Sequence, residues 1–301
     1  MKANKAKDGI VMIKDMFGNV RYKIGLHIHT NISDGCVSPE ECAKIYKDAG
    51  FDAIAITDHW KYGRDGEISG LKIYSGCEYN LGASDTAVDV MHIVGVFMDE
   101  EPSLDRKTSS RQETIDEIKR CGGMAVFAHP AWSLNGVDHA KELSGFGSLE
   151  IYNTVSEVGQ SNRAYSGYIV DLLANEGIIY PLIATDDVHY YNGEDDAKAF
   201  IMVKADSLDK KDIMKAIENC DFYATQGPEL HVRREGDMII ADCSECKTLA
   251  FMSNCAWAPD RMIRGSVTHA EYKIKEIDRW VRVEVMDKDG KYAWSNIIKI
   301  K

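Results

Sequence analysis

Hydrophobic and polar positions between residues 21 and 220 repeat as a short apolar run, a polar loop and an amphipathic stretch. In the first unit, residues 22–28 alternate towards a strand, and the segment SPEE at 38–41 opens a helix with a serine cap and a proline in its first turn. Gly50 ends that helix, and the run FDAIAIT at 51–57 is typical of a strand buried on both faces of a parallel sheet. The pattern predicts alternating β and α elements.

The same unit recurs along this part of the chain. Helical patterns occupy 111–123, 162–177 and 207–220, and apolar strands precede or follow them. This alternation predicts an α/β fold, a closed or nearly closed parallel barrel of about seven strands.

The pattern of hydrophobic and polar residues changes after residue 225. Short alternating runs are separated by turn signals such as EGD at 235–237 and DKDG at 287–290. Such runs predict a small antiparallel β-sandwich of about 75 residues. We therefore expect two domains, an α/β barrel over residues 1–225 and a C-terminal antiparallel β-domain over residues 226–301.

Composition restricts the classes of partner. The 301-residue chain is 45% hydrophobic and 28% charged, with a formal net charge of −12. This negative charge disfavours a nucleic-acid polymer, whereas a small anionic substrate stays compatible because divalent cations reverse the local potential. No apolar run reaches membrane-spanning length and the amino terminus lacks a signal-peptide core, so we expect a cytoplasmic protein with no membrane partner. A homo-oligomer is left open.

The eight cysteines are spread along the chain, mostly in apolar stretches, as expected of reduced core thiols. Cys243 and Cys246 form a CxxC pair with Cys255 nearby. A structural zinc would need a fourth ligand at suitable spacing, for which His269 is a distant candidate. Ordinary strand or turn cysteines are the alternative interpretation.

Six of the nine histidines lie at the ends of predicted strands. Residues two apart on a strand point the same way, so His27 and His29 can reach one ion, as can Asp187 and His189. Carboxylates stand beside several of the imidazoles, and strand ends are where α/β folds place their chemistry. The sequence therefore predicts a multinuclear metal site. The histidines are His27, His29, His59, His92, His129 and His189.

The segments GLHIHTNISDG, IAITDH, SGCEY, MHIVGVF, FAHP and ATDDVH resemble motifs of the PHP (polymerase and histidinol phosphatase) superfamily over residues 22–190. The resemblance implies a distorted (β/α)7 barrel holding two or three divalent ions. Mixed imidazole and carboxylate shells accept zinc, manganese or iron. The implied ligands of the first ion are His27, His29 and Asp187; Glu78 bridges it to a second ion on His92 and His129; a third ion takes Asp34, His59 and His189.

Some of these assignments have rivals. Glu78 has only the context GCEY and is alternatively an exposed loop glutamate. Asp186 competes with Asp187, although strand alternation favours Asp187. Asp58 is expected to orient an imidazole from outside the ligand set. Three histidines lie outside every motif and are interpreted as surface or packing residues, with the first also a candidate loop residue near the site: His139, His231 and His269.

The resemblance implies a metal-dependent phosphoesterase acting on a small molecule or nucleotide, with a hydroxide that bridges two of three ions as nucleophile. Glu78, Asp187 and His129 are the expected catalytic residues. Expected substrate contacts are Asn153, Asn162 and Arg163, with Glu150, Lys61 and Arg64 as further candidates; a solvated helix-start residue is the alternative for Arg163.

FYATQGPE and DGKYAWSN look like motifs of a PHP subgroup with an appended β-domain, in which some members hydrolyse esters or carbamates. An amidohydrolase-like ester or carbamate hydrolase is therefore one alternative function. A non-catalytic metal-binding or sensor protein is another. The sequence leaves the substrate, the native metal, the general acid and the role of the β-domain open.

Overall fold

The computed structural model describes residues 3–5, 11–82 and 88–301. Its helices are α1 Pro39–Asp48, α2 Arg111–Arg120, α3 Pro130–Ser133, α4 Val137–Lys141, α5 Gly167–Asn175 and α6 Lys210–Glu218, with a π-helix at Ser156–Ser161. Its strands are β1 Ala3–Lys5, β2 Val11–Lys14, β3 Val20–Gly25, β4 Ala53–Ala55, β5 Gly66–Ile68, β6 Leu71–Tyr74, β7 Gly76–Leu81, β8 Met91–Val96, β9 Met124–Phe127, β10 Ser148–Asn153, β11 Leu182–Thr185, β12 Phe200–Val203, β13 Phe222–Thr225, β14 Leu230–Glu235, β15 Met238–Ser253, β16 Met262–Lys273, β17 Trp280–Met286, β18 Tyr292–Trp294 and β19 Ile298–Lys299. Among the described helices, none combines the length and apolar character needed to cross a bilayer.

The helix starts follow the capping signals in the sequence. The Ser38 hydroxyl accepts a hydrogen bond from the Glu41 amide at 3.2 Å, and Pro39 occupies the first turn of α1. Ser110 and Glu113 form a reciprocal capping box at the start of α2. These caps satisfy backbone donors that a helix start otherwise leaves unpaired, and they fix where each strand-to-helix loop ends.

The strands around the site form two sheets. One has five strands in the order β11-β10-β9-β8-β7, and the other has fourteen, including β3, β4, β6, β12 and β13. Isolated parallel bridges join the two sheets at both edges, between Ile28 and Val188 and between His59 and Glu78. The predicted α/β class is confirmed, whereas closure into one seven-stranded barrel stays a prediction because single bridges link the sheets.

The C-terminal strands continue the larger sheet. β13 pairs with β18 through Ala224 and Trp294, and β18 pairs with β17, which pairs with the long strand β15. All of these pairings are antiparallel, as the alternating pattern predicts. A separate sandwich is not confirmed, because backbone hydrogen bonds cross the predicted boundary between residues 225 and 226. That boundary stays a prediction.

A buried ion cluster joins the C-terminal strands to helix α5. The Arg282 side chain on β17 is fully buried, and its guanidinium donates to the Asp171 carboxylate at 2.6 and 2.9 Å. Arg282 also contacts Glu284 on its own strand. A buried guanidinium needs such partners because its desolvation otherwise costs several kcal/mol. Asp171 therefore anchors α5 to the C-terminal strands.

Replacing Asp171 with alanine is expected to lower the free energy of unfolding by about 3 kcal/mol, since the buried Arg282 charge keeps Glu284 as its one charged partner beside the neutral Tyr165 hydroxyl. Urea denaturation followed by circular dichroism measures this change. Glu176→Ala is the matched control, because Glu176 pairs with Lys141 in an exposed ion pair that water screens, so its loss should change stability much less. Equal losses in the two variants would show that the buried cluster does not stabilise this junction.

Candidate metal centre

The six strand-end histidines converge with three carboxylates at one place in the fold. Among the described residues, four overlapping groups of His, Asp and Glu hold their ligand atoms within 4.8 Å of one another. All nine residues expected as metal ligands lie in these groups or beside them. The most deeply buried are His27, His29, Glu78, His129 and Asp187.

The first group surrounds one face of the HxH pair. His29 Nε2 lies 2.9 Å from Glu78 Oε2 and 3.1 Å from Asp187 Oδ1. His27 Nε2 lies 3.2 Å and 3.1 Å from the same two oxygens. Both imidazoles therefore point at one pair of carboxylate oxygens, the arrangement that alternation along a strand predicts.

The other oxygen of Glu78 faces a second pair of imidazoles. Glu78 Oε1 lies 2.8 Å from His92 Nδ1 and 3.3 Å from His129 Nε2. Glu78 sits in the middle of β7 and is buried, so it is not an exposed loop glutamate. Its two oxygens divide between the two imidazole pairs, which is the geometry of a bridging carboxylate.

The third group lies nearer the surface. The Asp34 carboxylate is half exposed, and its Oδ2 lies 3.5 Å from His189 Nε2 and 3.7 Å from His59 Nε2. Its Oδ1 lies 3.3 Å from His29 Nδ1. The loop that carries Asp34 packs closely against the His27–His29 segment. A Cβ at Gly35, the next residue, would come within 2.7 Å of the His29 carbonyl. Only glycine permits this approach.

Unpaired polar atoms are a separate indication that these side chains can hold divalent ions. Seven buried side-chain polar atoms of the described residues have no hydrogen-bond partner, and three belong to expected ligands: His59 Nδ1, His92 Nε2 and Asp187 Oδ1. Buried polar atoms rarely stay unpaired unless an ion, a water or a reaction uses them. Cys243 and Cys246 are buried in β15 and belong to none of the described metal-spaced groups.

Glu150 is the main residue behind the ligands. Its buried carboxylate accepts from His27 Nδ1 at 2.7 Å, the His129 amide at 2.9 Å and the Thr185 hydroxyl at 2.8 Å. A carboxylate on the far nitrogen of a ligating imidazole fixes its tautomer and orientation. Glu150 thus lies beneath the cluster and orients His27, rather than facing a substrate.

The two aspartates beside ligands have different roles. Asp186 points away from the cluster to the Tyr46 hydroxyl and the Ala199 amide, while Asp187 adopts a left-handed backbone (φ 52°) and faces the imidazoles. Asp58 does not contact an imidazole in the described hydrogen bonds. It accepts from the Thr30 and Ser33 hydroxyls at 2.7 Å, and thereby holds the loop that carries Asp34.

The charged groups in the cluster strongly shift one another's pKa values. Burial acts to lower the pKa of His27 and His29, but the carboxylates of Asp187 and Glu78 outweigh it and raise both well above the ordinary value. Burial acts to raise the pKa of Glu78 and Asp187, and the imidazoles overcome it and lower both. Burial lowers the pKa of His59 to about 4, so this ring is neutral at pH 7 and ready to bind an ion.

A cavity of about 560 Å³ opens over the cluster. Its wall includes the side chains of Lys61 and Arg106, which supply positive charge beside the ligands. Trp132 and Gln160 also line it. Sequence reasoning missed Arg106, Trp132 and Gln160; only Trp132, two residues after the FAHP segment that contains His129, carried a signal that could have been used.

The structure does not bring the three expected substrate contacts to this cavity. Asn153 is fully buried under the cluster, where its amide donates to Glu150 Oε2 at 2.9 Å and lies 3.2 Å from Asp187 Oδ2. Asn162 lines a different cavity. Arg163 is exposed and is not among the residues lining the cavity over the cluster.

The histidines outside the motifs also lie apart from the described metal-spaced groups. His139 Nε2 lies 3.3 Å from Asp89 Oδ1, and His269 Nδ1 lies 2.6 Å from Asp242 Oδ1 on β15. His231 is half-buried, and its ring lies edge-on to the ring of Phe17.

The chain is similar to known proteins in sequence and in fold. A model of the PHP domain family matches residues 25–173. An uncharacterized protein of Methanocaldococcus jannaschii is 33% identical over 119 residues, which cover 36% of this chain and 67% of that protein. A two-domain protein from Bacteroides vulgatus, described as containing a predicted PHP-like metal-dependent phosphoesterase, is similar in fold over 99% of both chains, with a TM-score of 0.55 and 15% identity. A lesion-specific endonuclease from Pyrococcus furiosus matches 66% of this chain and 56% of its own, with a TM-score of 0.46 and 17% identity.

Glu150→Gln is expected to weaken divalent-metal affinity about 10–100-fold, because the amide no longer holds His27 as a carboxylate does. Competition with a chromophoric chelator, using Zn²⁺ and Mn²⁺, measures the dissociation constants. Glu142→Gln is the control, since Glu142 is an exposed glutamate just after α4. Unchanged affinity in Glu150→Gln would show that His27 is oriented by other contacts.

The metal-free protein is expected to gain most stability from this cluster between pH about 4.5 and 6.5. The raised pKa of His27 and His29 gives stability that is present below the unfolded value of 6.5 and lost as pH rises through the folded value. The lowered pKa of Glu78 and Asp187 gives stability that is lost as pH falls below the unfolded values of 4.5 and 3.8.

Calorimetric Tm values from pH 4 to 9, with chelator and with saturating Mn²⁺, test this window. Bound ions replace the protons on the imidazoles, so the decline above pH about 6.5 should appear only with chelator. A chelated protein whose Tm rises steadily from pH 6 to 9 would contradict the assignment.

Proposed function

The chain belongs to the PHP domain family, and from this we propose that it is a metal-dependent hydrolase that cleaves a phosphoester of a small molecule or nucleotide. The observation that carries the proposal is the buried Glu78 carboxylate, which faces one imidazole pair with each oxygen. A carboxylate placed in this way would hold two divalent ions, and such a pair would supply the positive charge that phosphoester cleavage needs.

The ligand set fits three ions. His27, His29 and Asp187 would hold the first, with Glu78 shared between it and a second on His92 and His129. The surface group of Asp34, His59 and His189 would hold the third. Two of the described groups of ligand atoms support the first and third sets. The second set is supported by Glu78 Oε1, which lies 2.8 Å from His92 Nδ1 and 3.3 Å from His129 Nε2.

Charge favours an anionic substrate. Three divalent ions bring more positive charge than the three ligand carboxylates neutralise, since the imidazoles bind as neutral rings. Lys61 and Arg106 add positive charge to the cavity wall. A phosphate group can meet several cations at once, so it suits this cavity better than a neutral carbonyl group does.

The side chains of this chain divide the work of the reaction. Bound divalent ions supply Lewis-acid charge for the phosphoryl oxygens and lower the pKa of water. Lys61 and Arg106 orient the substrate anion, and the indole of Trp132, which packs on the rings of His92 and His129, limits water on that side. Glu150 and Asn153 keep His27 and Asp187 in position from below.

A substrate panel tests the reaction class. After loading with Mn²⁺ or Zn²⁺, the protein should hydrolyse p-nitrophenyl phosphate or bis-p-nitrophenyl phosphate, and lose this activity with chelator. Asp187→Asn and His129→Ala should each lower kcat/KM by more than the 10–100-fold that loss of a residue behind a ligand costs.

His269→Ala is the control, because His269 lies on β16 away from the cluster and should leave kcat/KM unchanged. Metal analysis should give at least two ions per chain. Turnover of p-nitrophenyl acetate or an aryl carbamate, with no turnover of either phosphate, would assign the ester or carbamate reaction instead. Metal binding without turnover of any of these compounds would contradict the proposed reaction and leave a metal-binding role.

A further inference from the structure

A second cavity, of about 450 Å³, lies where strand β10 meets the C-terminal strands. Aromatic rings line it: Tyr152 and Trp294 are stacked with centroids 5.2 Å apart, and Tyr292 stacks on Trp294 at 5.8 Å. Tyr165 is also parallel to Trp294, at 6.2 Å. Interplanar angles of 9–22° make the four rings one parallel set, and the volume falls within the range of about 300–1,000 Å³ for small-molecule sites.

This aromatic cavity is separate from the metal centre. None of the residues described as lining it also lines the cavity over the histidines. Asn153 contacts Asp187 on the metal side, whereas its neighbour Tyr152 stacks on Trp294. The π-helix Ser156–Ser161 lies between the two, because Gln160 lines the metal cavity and Glu157 lines the aromatic one.

The charged groups that line the aromatic cavity are two carboxylates, those of Glu157 and Glu284. Glu157 accepts from the Tyr152 hydroxyl and Glu284 from the Tyr165 hydroxyl, and a carboxylate can accept further bonds. None of the described lining residues is a lysine or an arginine. The cavity therefore favours a ligand that donates hydrogen bonds and carries no phosphate.

One donor has no partner. The indole N–H of Trp294 is buried and has no hydrogen-bond partner in the described part of the chain, although Trp294 is only 1% exposed. A buried N–H without an acceptor is uncommon, since the lost hydrogen bond destabilises the fold. Because this nitrogen is closed to solvent, a ligand in the cavity contacts Trp294 through its ring and not through the N–H.

We infer that this cavity binds a free nucleoside whose base carries an exocyclic amino group. The base stacks on Tyr165 and Tyr292, the partly exposed rings of the set. Its amino group donates to the carboxylate of Glu157 or Glu284. The carboxylates and the absence of cations among the described lining residues disfavour a nucleic-acid strand, whose phosphates they would repel.

Intrinsic fluorescence titration of the metal-loaded protein with adenosine tests the inference. Adenosine lacks phosphate, so its binding is read independently of hydrolysis. We expect saturable quenching, and Tyr165→Ala should weaken the affinity at least about fivefold through loss of stacking. Glu157→Gln should weaken it too, while uridine, which has no exocyclic amino group, should bind at least about fivefold less tightly.

Tyr168→Ala is the matched control, since Tyr168 is an exposed tyrosine three residues further along that does not line the cavity. Tyr165→Ala should also keep the wild-type rate on p-nitrophenyl phosphate, because Tyr165 is outside the metal centre. Absence of saturable quenching at millimolar adenosine, or equal affinity for uridine, would overturn the inference. Tighter binding of a short oligoadenylate than of adenosine would overturn the assignment to a free nucleoside.

Discussion

The structure around the site depends on one constraint, the burial of negative charge at Glu78. A carboxylate that is almost wholly removed from water is strongly unfavourable unless cations or hydrogen-bond donors surround it. Here five imidazoles lie within 3.4 Å of its two oxygens, on strands or strand ends that are distant in sequence. The buried charge of Glu78 on β7 is stabilised only if β3, β8 and β9 bring their imidazoles to it, so the relative positions of these strands depend on that one side chain. The strong pKa shifts of the surrounding groups express the same constraint.

Much of the metal centre could be predicted because it follows from strand geometry. Residues two apart on a strand face one way, which explains why His27 pairs with His29 without any knowledge of the rest of the fold. The substrate contacts could not be predicted in this way. A bulge between Glu150 and Tyr152 shifts the register of β10, so Asn153 shares the side of Glu150 and lies under the cluster. A bulge leaves little trace in a short apolar run.

The cavity wall was also beyond the sequence pattern, for a different reason. Arg106 and Gln160 come from a loop and from a π-helix, and neither position is set by a hydrophobic period. The C-terminal region shows the same limit at a larger scale. Its antiparallel character follows from alternation, but the pairing of β18 with β13 is a long-range contact that local sequence does not encode.

Hydrogen bonding is continuous from β3 through β12 and β13 to β18. The C-terminal strands therefore belong to the same sheet as β3, the strand that leads to His27 and His29. Removing residues after 225 would leave β13 with a row of unpaired backbone groups, an edge that promotes association between chains. A variant of this chain that lacks the region would need another strand or loop to pair with β13 in place of β18.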